Sequence, residues 1–137
     1  MMRINAFIYL IALIIVGCTY RVSHPQFSMS IKTKNANEAV SLRSAILDFS
    51  MLKGFDRKKE AGNKEYLESN SMYLLSFESK DKSFITITNL VGNECYDISI
   101  YSAVSIENAV YQGTQLRSHL INGKFNPVMM DEHPCKG

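Results

Sequence analysis

Two neighbouring stretches decide the fold: Ser83-Phe-Ile-Thr-Ile-Thr-Asn-Leu90 and Glu94-Cys-Tyr-Asp-Ile-Ser-Ile-Tyr101. Both alternate apolar and polar residues and are rich in β-branched side chains, the pattern of strands with one buried face. Met72 to Glu78, just upstream, is apolar-rich and reads as a third strand. The breaks between them, Lys80-Asp81-Lys82 and Gly92-Asn93, are turn chemistry. Three strands joined by short turns predict an antiparallel meander, with Ile85, Ile87, Ile98 and Ile100 in the core and Tyr96 on the same face as Ile98 and Ile100.

Outward from the meander, Phe27 to Ile31 alternates and predicts a short first strand. Asn35 and Asn37 are helix N-cap candidates, and Asn35 has Glu38 three residues on, a box-like arrangement. Ala39, Leu42, Ala45, Ile46, Phe49 and Leu52 recur at helical steps, and Gly54 is a natural stop. Ser105 can cap a second helix, with Ile106, Ala109, Val110, Gly113, Leu116, Leu120 and Ile121 at helical spacing up to Asn122-Gly123. Gly113 on the apolar face suits close packing on a sheet. Phe55 to Ser71 admits two readings, a charged edge strand around Phe55 to Lys59 or a mobile loop. Lys124 to Gly137, with Pro127 and Pro134, shows no clear element.

The order β-α-(β)-β-β-β-α predicts an α+β domain. The expected form is a two-layer sandwich of a three- to five-stranded, mainly antiparallel sheet with two helices on one face. Its outline is similar to the ferredoxin-like arrangement, without a clean βαββαβ order.

The chain has 137 residues, room for one compact domain. Lys plus Arg is 15 against 13 Asp plus Glu, a formal charge of +2, too balanced for a general nucleic-acid binder. A 46% hydrophobic content excludes a disordered chain. The apolar residues concentrate at the N-terminus, where Arg3 precedes Ala6 to Val16 and then Gly17 and Cys18. A positive start, an apolar core and a small residue is the layout of a secretory signal. As a helix, Ala6 to Val16 would reach about 16 Å, roughly half a bilayer core.

Ile15-Val16-Gly17-Cys18 resembles the lipobox of bacterial lipoproteins. The resemblance covers only the first 18 to 20 residues. It is good at Gly17 and Cys18 and looser at Ile15 and Val16, where the family prefers Leu and then Ala or Ser. It implies cleavage before Cys18 and lipidation of its thiol. On this reading, residues 1–17 are the signal peptide, 18–25 the lipidated cysteine and a short tether, 26–123 the α+β domain and 124–137 a tail. Thr19, where inner-membrane lipoproteins often carry Asp, leans towards the outer membrane, facing the periplasm.

Beyond Cys18, the chain holds Cys95 and Cys135. An even number in an oxidising compartment favours a disulfide, closing a loop of about 40 residues worth roughly 3–4 kcal/mol in the chain-entropy model. Its alternative is two free thiols, with Cys95 buried in a strand. Met129, Met130, His133 and Cys135 are soft ligands of the type that favours Cu(I), competing for the same thiol. Their spacing matches no strong metal signature, and the blander reading is a tail packing on the domain.

His24 and His119 have no nucleophile at motif spacing, and the chain lacks G-x-S-x-G, P-loop, H-E-x-x-H and dinucleotide fingerprints. No cofactor is implied. Arg57-Lys58-Lys59 reads as a solvated turn or edge, or as a contact for membrane headgroups or an acidic partner. Tyr66, Tyr73, Tyr101 and Tyr111 could add aromatic contact area or sit half-buried in sheet and helix. The expected function is a small lipid-anchored envelope protein that binds a protein partner, as immunity lipoproteins and accessory subunits do. The alternative is a carrier or sensor of a small ligand or metal, and the third reading an enzyme.

Overall fold

A computed structural model describes residues 24–58, 74–89 and 94–129. The elements are β1 (Phe27–Lys32), α1 (Ala36–Leu52), β2 (Phe55–Arg57), β3 (Leu74–Ser79), β4 (Ser83–Asn89), β5 (Cys95–Ser102), α2 (Ile106–Asn122) and β6 (Val128–Met129). Six strands form one antiparallel sheet in the order β2-β3-β4-β5-β1-β6. The class is α+β, as the hydropathy pattern predicts.

The meander β3-β4-β5 sits at the centre, and β1 adds beside β5. Leu75, Ile87, Ile98 and Met29 stand opposite one another in successive strands. Phe77, Ile85, Ile100 and Phe27 make a second such row. These rows join Leu42, Ile46 and Phe49 of α1 and Ala109, Leu116 and Leu120 of α2 in one buried cluster. Ile85, Ile87, Ile98 and Ile100 are fully buried. The alternating partners, such as Ser28, Ser99 and Thr86, put hydroxyls on the opposite face.

The helix signals act as local chemistry predicts. The Asn35 side chain accepts from the Glu38 N–H at 3.0 Å, and Glu38 Oε2 accepts from the Lys34 N–H at 2.5 Å. Ser105 accepts from the Asn108 N–H at 3.1 Å. Gly54 takes a left-handed φ of 72° just past α1. Gly123 does not: φ is −75° there, and Lys124 carries the left-handed turn at 67°. The Lys124 N–H donates to the Ile121 carbonyl and the Phe125 N–H to the Leu120 carbonyl, closing a Schellman motif.

Three expectations need correction. The sheet has six strands rather than three to five, because Val128–Met129, in a segment without strand periodicity, pairs with β1 at Ser30 and Met29. Leu52, expected on the buried face of α1, is 78% exposed; it lies about 120° round the helix from Ile46. Ile106, Val110 and Ile121 are also exposed. Ile106 shares the azimuth of Gly113 but sits at the first residue of α2, past the end of the sheet.

A polar cluster fastens that end. Asn108 Nδ2 donates to Ser83 Oγ and Ser102 Oγ, both at 2.9 Å, and the two hydroxyls are 3.1 Å apart. Asp81, in the turn between β3 and β4, accepts from Ser79 Oγ and from the Ser83 N–H. The hairpin turn, the end of β5 and the start of α2 are thereby held together.

Candidate interaction surface

Among the described residues β2 is an edge strand of the sheet, and it carries the start of the basic run. Phe55 anchors it in the core, while Asp56 and Arg57 are exposed. Antiparallel pairing sets Asp56 opposite Glu78, and Glu78 opposite Phe84 in β4. Phe84 in turn faces Tyr101 in β5. Lys58 follows β2, its N–H bonded to the Ser76 carbonyl at 2.8 Å.

Glu78 is the hub of this surface. Lys58 Nζ lies 2.9 Å from Glu78 Oε2, and Lys82 Nζ lies 2.8 Å from Oε1. Lys58 Nζ also stands 4.9 Å above the centre of the Phe84 ring, a cation–π arrangement. Arg57, Lys58, Lys80 and Lys82 line an open cleft of about 270 Å³ with Asp56 and Glu78, so among the described residues cations outnumber acids there by four to two. The hydrogen bond from Lys82, then that from Lys58, holds the Glu78 carboxyl below its ordinary range. Glu78 therefore stays ionised at neutral pH and has no proton to give as a general acid. The arrangement suits a carboxylate- or phosphate-bearing group, with the Phe84 ring half-buried beside the Lys58 ammonium.

Of the predicted contact residues, Arg57 and Lys58 both line this cleft, Arg57 from the strand position paired with Phe77, and Lys59 lies outside the described residues. Glu78, Lys80, Lys82 and Phe84 were not legible as members. Lys80 and Lys82 read as turn residues, and their approach to Lys58 depends on strand register. Cys95 opens β5, buried and disulfide-bonded. The other two cysteines, Cys18 and Cys135, lie outside the described residues, as do Met130 and His133. Met129 packs against the core from β6. Among the described residues no group of three His, Cys, Asp or Glu side chains is placed to hold a metal ion. Tyr101 lies half-buried on β5 and Tyr111 is exposed on α2; Tyr66 and Tyr73 lie outside the described residues. His119 reaches the Ala45 carbonyl at 3.0 Å and packs on Phe49 at 5.6 Å, an interhelix contact.

Comparison with protein-family models, curated proteins and solved structures returned no match. Among the described residues no helix is long and apolar enough to cross a membrane.

Proposed function

We propose that this chain is a small lipid-anchored protein of the bacterial envelope that binds an acidic protein partner through the edge cleft around Glu78. The observation that carries the binding surface is the excess of cations at that cleft, on an exposed edge strand, beside the Phe84 ring. Charged edges steer an oppositely charged partner and fix its orientation, while a half-buried aromatic supplies apolar contact. The signal layout before Cys18 supports anchoring there, and Thr19 favours the outer membrane, facing the periplasm. Cys95 and Cys135 are proposed as the disulfide pair, and both helices as one layer on the apolar face of the sheet.

The test is crosslinking in cells with a photoreactive residue at Asp56, comparing the native chain with an Arg57→Glu, Lys58→Glu variant and with Cys18→Ala. One dominant adduct is expected, joined through Asp- and Glu-rich peptides of the partner. Charge reversal should remove it, and loss of the anchor should weaken it. An adduct indifferent to charge reversal would reject this cleft as the binding surface.

A further inference from the structure

The strand register brings one more surface together, at the end of the sheet where the chain enters the domain. Phe55 pairs with Ser79, Ser83 with Ser102, and the Ser102 N–H donates to Gln26 Oε1 at 2.9 Å. Those residues form one row across the sheet. The described segments that continue beyond it lie at the same end: the last turn of α1, the Lys80–Lys82 turn, Ala103 to Ile106, and His24–Pro25.

Four large apolar side chains at this end face solvent: Met51 at 77%, Leu52 at 78%, Val104 at 61% and Ile106 at 58% exposure. Lys53 and Lys80 are exposed at the same end, and Lys82 there is paired with Glu78. Asp81 and Glu107 lie at this end as well: Asp81 accepts from Ser79 and the Ser83 N–H, and Glu107 from its own N–H and Ser105. Lone exposed apolar residues are ordinary. Four of them, with exposed lysines, at the end from which a lipid tether would emerge are a different matter. Apolar tips with a basic surround are the chemistry of an interfacial membrane contact.

We propose that this end is a membrane foot: Met51, Leu52, Val104 and Ile106 enter the headgroup layer of an anionic bilayer, with Lys53 and Lys80 on its phosphates. The proposal rests on the lipid-anchor reading. From Cys18 to Gln26 the chain can span at most about 28 Å, so an acylated Cys18 holds the foot next to the lipid surface. Tethering makes the second contact intramolecular, and weak docking then suffices. With the foot down, the edge cleft at Lys58 and Glu78 points along the membrane, at a fixed height for a partner.

The chain contains no tryptophan, so single-tryptophan reporters are clean. Full-length lipidated protein carrying Leu52→Trp, Ile106→Trp or, at the far end of α2, Ile121→Trp would be reconstituted into phosphatidylethanolamine–phosphatidylglycerol vesicles with brominated acyl chains. All three should float with the vesicles. Bromine should cut the emission of Leu52→Trp and Ile106→Trp by about half or more and leave Ile121→Trp nearly unchanged. Adding Met51→Glu and Val104→Glu to either foot reporter should abolish quenching without affecting flotation. Flotation without selective quenching would overturn the foot and leave the anchor standing. Selective quenching that survives the glutamates would overturn its apolar basis. Protein that fails to float would overturn the anchor reading, and the foot with it.

Discussion

Gly113 of α2 lies directly against the Phe27 ring of β1, so close that an added Cβ would overlap three ring carbons. This contact sets how near α2 approaches the sheet. Alanine would gain about 1 kcal/mol of helix propensity over glycine. Overpacking against a buried ring costs about 1–3 kcal/mol. Gly113→Ala is therefore expected to lose up to about 2 kcal/mol, measured by urea denaturation, and Phe27→Leu should restore part of it.

Lys124 occupies the left-handed position that glycine favours after a helix, while Gly123 before it has an ordinary φ. Lys124→Gly removes the strain and keeps both Schellman hydrogen bonds. A gain of about 0.5–1 kcal/mol is expected, seen as a higher melting temperature. Gly123→Ala is not equivalent, because its Cβ would meet the Phe125 ring at 3.2 Å.

Asn108 is the shared donor to the buried Ser83 and Ser102 hydroxyls. Asn108→Ala leaves both with one partner fewer and loosens the hairpin from α2. The expected cost is about 1–3 kcal/mol. Hydrogen exchange should show the loss concentrated at the β3–β4 turn and the start of α2.

Asp81 and Glu78 both titrate below their ordinary values. For Asp81 the leading cause is the Ser79 hydroxyl, followed among the hydrogen bonds by Ser83 and Asn108; for Glu78 it is Lys82, then Lys58. Their folded values lie below the unfolded ones, so their stabilisation is fully present above about pH 4–4.5. It is lost as pH falls through the folded values. Acid titration of stability should show this decline, and Asp81→Asn with Glu78→Gln should flatten it. A steeper acid decline in the double variant would contradict the assignment.

The Cys95 disulfide should stabilise the chain by roughly 3–4 kcal/mol if Cys135 is its partner, from the loop closed. Peptide mapping of the unreduced protein would show one linked peptide containing both residues. Reduction should lower the urea midpoint, and Cys135→Ser should reproduce that loss.

Much of the fold was legible in local pattern. Alternation in Ser83–Asn89 and Cys95–Ser102 marks one face as buried, and the register pairs Ile85 with Ile100 and Ile87 with Ile98 on it. Asn35 and Ser105 cap helices because their side chains accept from N–H groups three residues on, an interaction written within four residues of sequence. The candidate site was only half legible. Arg57 and Lys58 stand out as charge, but Glu78, Lys82 and Phe84 become their neighbours through pairing across β2, β3 and β4. A turn lysine and a strand glutamate have ordinary surface chemistry until register sets them side by side.

The sequence by itself determined the α+β class, the central meander, the two helices and their caps, because periodicity and capping act over a few residues. Tertiary structure decided what distance along the chain conceals. Val128–Met129 is a strand only because β1 offers it an edge, and two residues have no period of their own. Ile106 is exposed because its helix begins past the end of the sheet, and helical spacing does not say where the sheet ends. Lys58, Lys82 and Phe84 surround Glu78 because antiparallel register converts separation in sequence into adjacency in space.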